Sequence, residues 1–292
     1  MTDTLRGALL MVLAMGLFSI EDAIIKHLSS EIPTGVVILI IGIGGLILFI
    51  LWTLIRGKPL WTPHYLEPNV LGRTGCEMVG TMFFVTALSL VPFTTASAVI
   101  QATPLVVASG AALFLGQTVG WRRWTAILVG FGGVLMIIRP GLDGFQPATF
   151  FAVFGMIGLA CRDLITRSID SPITGFQLTL QAYVGLIIAG IVLMLVAGQS
   201  FVWPQGIMVL WMIAAILLSI LAYLVIVAAT RKGDAATVSS FRYSRMLYAL
   251  IIGYIVFGET ADWPTLLGVG IVIAAGLYTL IREARLARAG QA

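Results

Sequence analysis

Leu115-Gly116-Gln117-Thr118-Val119-Gly120-Trp121 returns 142 residues later as Phe257-Gly258-Glu259-Thr260-Ala261-Asp262-Trp263. At the same offset Thr95-x-Ser97 falls on Thr237-x-Ser239, and Leu105 falls on Leu247. A shift of one residue aligns Glu21-Asp22-x-x-x-Lys26 with Arg162-Asp163-x-x-x-Arg167. The chain therefore reads as two copies of one unit, 1–141 and 142–292.

Working outward from the motif, apolar runs occupy about 5–27, 35–55, 71–90, 94–115, 123–139, 147–167, 174–197, 206–229, 237–257 and 264–283. A helix needs about 20 apolar residues to cross a bilayer. The gaps carry Gly, Pro and Asp turn chemistry and are too short for an extramembrane domain. The expectation is an all-α integral membrane protein of ten transmembrane helices, five in each copy. Five is odd, so the second copy enters the membrane upside down, giving two inverted five-helix repeats. Inverted repeats of this kind underlie alternating access, with solute held near the midplane between them.

Composition agrees. Of 292 residues, 59% are apolar and only 10% charged, against about 45–50% and about 25% in a soluble domain. A net charge of +4 is too small a footprint for a nucleic-acid binder. Cys76 and Cys161 give no disulfide framework. The run after Arg6, from Gly7 to about Ile25, is too long for a signal-peptide core and meets no A-x-A-like cleavage site, so it reads as the first span.

Basic residues set the orientation. With the N-terminus in the cytoplasm, the inner segments and adjoining helix ends hold Arg6, Arg56, Lys58, Arg73, Arg122, Arg123, Arg162, Arg167, Arg231, Lys232, Arg282, Arg285 and Arg288. The outer ones hold Lys26 and Arg139, while Arg242 and Arg245 lie within the ninth run. Trp121 is followed by Arg122-Arg123 on the inside, and Trp263 by Pro264-Thr265 on the outside. The two copies of the motif have thus taken charges that suit opposite faces. Both termini are expected in the cytoplasm, with the chain in a cell inner membrane.

The strings Leu115-Gly116-Gln117, Trp121-Arg122-Arg123-Trp124 through Gly130-Phe131-Gly132-Gly133-Val134 to Arg139-Pro140-Gly141, and Phe257-Gly258-Glu259 resemble the two EamA repeats of the drug/metabolite transporter superfamily. The resemblance covers about 5–139 and 147–282. It implies ten helices in two inverted repeats and movement of small metabolites. Within the superfamily the chain is most similar to YddG-like exporters of aromatic and other amino acids. The acid usual after Leu-Gly is Gln117 in the first copy and Glu259 in the second, which questions any need for charge there.

Charges at membrane depth are costly, about 2.5–3.5 kcal/mol on insertion scales, and usually face a cavity or the bundle interior. The candidate gating or ion-pair residues are Glu21, Asp22, Lys26, Arg162, Asp163 and Arg167. Acid-then-base spacing at i,i+4 in Asp22/Lys26 and Asp163/Arg167 either neutralises a helix end or gates the pathway. Glu77, two turns into the third run, requires a cavity or a partner. In the ninth run Arg242 and Arg245 share a face and suit a carboxylate, unless they snorkel to the interface. Gln101 and Gln177/Gln181 suit a polar ligand or interhelical bonding. Phe83, Phe84, Tyr223, Tyr243 and Tyr248 offer aromatic faces to a ring or an ammonium; packing is the plainer reading for each.

No phosphate loop, HExxH, GxSxG or Cys/His cluster is present in the sequence. The reading is therefore not an enzyme, without a cofactor or metal. It is a secondary transporter, monomeric or homodimeric, whose partners are a small-molecule substrate and the lipid bilayer. The main expectation is export of aromatic and other neutral amino acids by alternating access. The alternative is an importer or antiporter of another metabolite, such as a nucleoside-like or S-adenosyl compound.

Overall fold

A computed structural model describes residues 3–116, 120–142, 145–230 and 235–289, and among these there is helix but no strand. Gln117, Gly144, Arg231, Lys232 and Asp234 lie outside the described residues, as do the side chains of Thr237, Arg285 and Arg288. The helices are α1 (Asp3–Ser29), α2 (Thr34–Ile55), α3 (Pro68–Leu90), α4 (Phe93–Ile100), α5 (Thr103–Phe114) and α6 (Trp121–Ile138). They continue as α7 (Thr149–Thr166), α8 (Gly175–Val196), α9 (Ile207–Thr230), α10 (Ala235–Ser240), α11 (Ser244–Phe257) and α12 (Trp263–Ala289). Helix is what an apolar chain must form in lipid, where every backbone N–H and C=O needs an internal partner.

All ten apolar runs form helix. Eight, taking α4–α5 as one, are long and apolar enough to cross a membrane. In α3, Arg73 and Glu77 lower the hydropathy; α11 has only 14 residues because the ninth run is interrupted. Helix ends follow the local sequence. Thr174 and Gln177 form a reciprocal capping box at the start of α8. Gly258 ends α11 in the left-handed region, at φ 64°, and the Glu259 N–H returns to the Gly253 carbonyl at 2.9 Å.

Two compact units form, and each draws on both halves of the sequence. The first comprises 1–20, 91–150 and 221–292; the second comprises 21–90 and 151–220. In the first unit α6 packs along α12, and α4 against α11. Gly133 and Gly268 let α6 and α12 touch: a Cβ on either would lie 2.7–2.8 Å from the other's carbonyl oxygen. Such close approach through small residues is the common route to helix association in lipid. Gly130 faces Ala275, whereas Ile137 faces Gly268, so the two helices run antiparallel.

In the second unit α2 packs along α8, and α3 also lies on α8. Gly35 meets Met194, and Gly45 meets Tyr183, so this pair is antiparallel as well. Both α6/α12 and α2/α8 join helices that occupy equivalent places in the two copies. Equivalent helices running antiparallel are the mark of inverted repeats.

The fourth and ninth runs depart from the expectation of continuous spans. The fourth breaks between Ile100 and Thr103, and the ninth passes through a 3-10 turn at Phe241–Tyr243. Pro104 sits in the first turn of α5, where its missing N–H costs nothing. It starts a helix rather than kinking one.

Candidate functional site

The two helix breaks fall at the same place in each copy, since Gln101 plus the repeat offset is Tyr243. They also meet in the first unit, where the Gln101 amide Nε2 donates to the Tyr243 carbonyl at 3.5 Å across 142 residues of chain. At the first break the Gln101 and Ala102 N–H groups reach back only three residues, to Ala98 and Val99. A hydroxyl closes each break: Thr103 Oγ1 donates to the Ile100 carbonyl at 2.5 Å, and Ser244 Oγ to that of Phe241 at 2.7 Å. Interrupted helices place backbone polar groups at membrane depth, which is tolerated where they line protein or a solute path.

Buried polar side chains surround this junction. Ser97 is 1% and Tyr243 6% exposed. Neither the Ser97 hydroxyl nor the Tyr243 hydroxyl has a hydrogen-bond partner among the described residues. The Tyr243 ring lies against Gly276 of α12, leaving no room for a side chain there. Arg245 is half-buried, with its guanidinium 5.8 Å from the centre of the Phe18 ring, and its carbonyl accepts from Ser19 Oγ at 3.3 Å. Arg242, in the 3-10 turn, is exposed. The change of helix type between Arg242 and Arg245 gives them different settings, contrary to the shared face expected of one continuous helix. Tyr248 packs with Phe18, Val225 and Ile226 on Met11, Met15 and Val238. Tyr223 is half-buried on α9.

A second polar cluster belongs to the second unit. Glu77 is held by two arginines, Arg73 at 2.9 Å and Arg162 at 3.0 Å. Arg162 also clasps Asp163 through Nε and Nη2, at 2.9 and 2.7 Å. Arg73 Nε donates to Thr166 Oγ1 at 3.1 Å. Two cations and two anions form one neutral chain joining α3 to α7. Glu77 thus has the partner its depth demanded, and the residues missed by sequence reasoning are Arg73 and Thr166. Arg73 stands four residues before Glu77, one helical turn away, so the spacing alone carries the signal for this pair.

The remaining candidates are spread through the same unit. Lys26 donates to the Leu88 carbonyl at 2.9 Å, closing the last turn of α3. Glu21 and Asp22 are buried on α1, and Arg167 lies just past α7. Gln177 reaches the Trp61 carbonyl at 3.5 Å, and Gln181 that of Tyr65 at 3.1 Å. These two amides tie down the connection between α2 and α3. Phe83 stacks between Phe151 and Phe154 at 5.8 and 5.5 Å, and Phe84 is buried against Gly155. Sequence reasoning also passed over Glu259, which it read only as a motif residue. Its carboxylate accepts the N–H of Phe93 at 2.6 Å and that of Thr94 at 2.8 Å.

The chain matches the EamA-like transporter family twice, over residues 5–139 and 148–281. It is 28% identical to an S-adenosylmethionine uptake transporter of Rickettsia felis over 67% of its length, and spans 66% of that relative. It is 26% identical to a riboflavin transporter of Vibrio cholerae, over 97% of this chain and 96% of the relative. A pseudopaline exporter of Pseudomonas aeruginosa is 24% identical over 94% and 96%. A solved crystal structure shares the fold over 97% of both chains, with a TM-score of 0.60 at 18% identity. Relatives named for S-adenosylmethionine, riboflavin and pseudopaline do not single out the YddG-like amino acid exporters. With both copies of the repeat matched and the interrupted helices set at equivalent positions, the chain belongs to the EamA-like transporter family.

Proposed function

We propose that this membrane transporter moves a nucleoside-like or S-adenosyl-type metabolite by alternating access, with the solute held at the Gln101–Tyr243 junction. The observation that carries the reading is the pair of helix breaks at equivalent positions of two inverted copies, 1–141 and 142–292. Broken helices at matched places are where transporters of this architecture hold their solutes. Gln101 both donates and accepts, and the unpaired hydroxyls of Ser97 and Tyr243 carry a desolvation cost that a polar ligand offsets. Arg245, already stacked on Phe18, takes a ligand carboxylate.

The substrate class follows the relatives named for S-adenosylmethionine and riboflavin rather than the amino acid exporters the sequence first suggested. The neutral Arg73–Glu77–Arg162–Asp163 chain keeps α3 and α7 together during the cycle. The protein works in a cell inner membrane with both termini in the cytoplasm.

Proteoliposomes containing the full chain test this with labelled S-adenosylmethionine, riboflavin, phenylalanine and threonine, in both loading directions. Flux of either of the first two, weakened at least tenfold by Gln101→Ala, is expected. Flux of phenylalanine or threonine alone would return the substrate assignment to amino acids.

A further inference from the structure

Outside the helix-break junction, the first unit contains a cavity of about 310 Å³ where α4 and α12 begin and α6 ends. The distribution of basic residues reads this end as the outer face. The volume is at the lower bound of small-ligand sites. Its charged groups are already occupied. Arg139 pairs with Asp262 and donates to Thr265 Oγ1 at 3.3 Å. Both oxygens of Glu259 are taken by the N–H groups of Phe93 and Thr94 and by the Thr94 hydroxyl. One cation against two anions leaves the walls one charge negative, which repels a carboxylate or phosphate.

What stays open is uncharged. Thr95, Gln146, Thr149 and Thr260 line the cavity, and their side chains make no hydrogen bond among the described residues. Thr149 is only 3% exposed as a residue and lines this space. Three hydroxyls and an amide each donate and accept. The chemistry that matches them group for group is a run of vicinal hydroxyls, which also need a partner each once they leave water.

We propose that this cavity is an outer antechamber for the polyhydroxyl part of the transported solute, a ribityl chain or a ribose ring. The proposal rests on the nucleoside-like reading above and extends it to a second, shallower subsite. Arg139–Asp262 forms its rim and Thr149 its floor.

The test uses the purified full chain carrying Thr260→Cys, with maleimide labelling followed by the mass of the peptide that bears position 260. Ribitol should slow labelling about three- to tenfold, which at about 1.4 kcal/mol per factor of ten is about 0.7–1.4 kcal/mol. Equal concentrations of glycine or sodium acetate should not slow it. Adding Thr149→Val or Gln146→Leu, each made singly and checked for folding by its melting curve, should remove the protection. No protection by ribitol, equal protection by all three solutes, or protection that survives both substitutions would overturn the proposal. Riboflavin and S-adenosylmethionine flux through the unaltered chain reports on the transport reading separately. Flux without ribitol protection removes the antechamber alone, and protection without flux removes only the choice of transported solute.

Discussion

The Glu259 carboxylate closes on Thr94, accepting its backbone N–H at 2.8 Å and its hydroxyl at 2.9 Å. A residue of the second copy thus caps the half-helix α4 of the first. An anion at a helix N-terminus satisfies donors that the helix cannot satisfy itself and opposes the helix dipole favourably. This is the use for charge that the Gln117/Glu259 mismatch left in doubt. Glu259→Ala leaves the Phe93 and Thr94 N–H groups unpaired, at about 1–3 kcal/mol for such losses. Thr94→Val removes one hydroxyl contact and costs about 1 kcal/mol. Thermal unfolding in detergent should show both in that order, with faster hydrogen exchange at the amides of residues 93 and 94. An unchanged melting temperature and unchanged exchange in Glu259→Ala would show that the cap contributes nothing.

Glu77 separates two arginines on facing helices, with side chains only 12–26% exposed across the three. Removing one member of such a network leaves uncompensated charge, at about 3–5 kcal/mol, whereas removing a matched pair costs far less. Glu77→Ala is therefore expected to abolish most of the monodisperse protein. Adding Arg162→Met to it should restore part of the yield, because one cation and one anion have then been removed and Arg73 and Asp163 leave the network neutral again. Size-exclusion yield and melting temperature of the single and double variants measure the coupling. A double variant no better than Glu77→Ala would mean that the chain is not one electrostatic unit.

Asp262 lies in the connection before α12, and the hydrogen bond from Arg139 holds its carboxyl down to about 2. Its value in the unfolded chain is about 3.9. The folded state then binds the proton more weakly, so the contribution is fully present above about pH 4 and is lost as pH falls through 2. The Asp262 side chain is half exposed, so solvent screening leaves the pair worth under about 1 kcal/mol. Asp262→Asn should lower the melting temperature slightly and by the same amount at pH 7 and pH 5. The difference from the unaltered chain should shrink below pH 4. A difference that grew as the pH fell would assign the effect to another group.

The runs of apolar residues and the 142-residue offset were legible because both are properties of the chain alone, lipid length for one and duplication for the other. The breaks were not. Phe241-Arg242-Tyr243 contains no Gly or Pro, so nothing local stops a helix there. Tyr243 is placed by packing, its ring filling the room that Gly276 leaves on α12. The partners of Glu77 were half legible. Arg73 stands one turn away, but Arg162 is 85 residues distant and arrives only when α7 packs on α3. For Gln177 and Gln181 a polar ligand and interhelical bonding both stayed open, because their acceptors, the carbonyls of Trp61 and Tyr65, carry no signal in a sequence.

Trp121 and Trp263 open α6 and α12, and both are exposed. Since these helices pack antiparallel, their first residues stand at opposite ends of the unit. Trp121→Cys and Trp263→Cys should therefore react with a membrane-impermeant maleimide from opposite sides. Arg122-Arg123 beside the first and Pro264-Thr265 beside the second assign the sides. Position 263 should label in intact cells, and position 121 only after the membrane is opened. The reverse assignment would keep the inverted repeat and discard the cytoplasmic termini. Labelling of both from one side would leave no antiparallel pairing across the bilayer, and alternating access between mirrored copies would go with it.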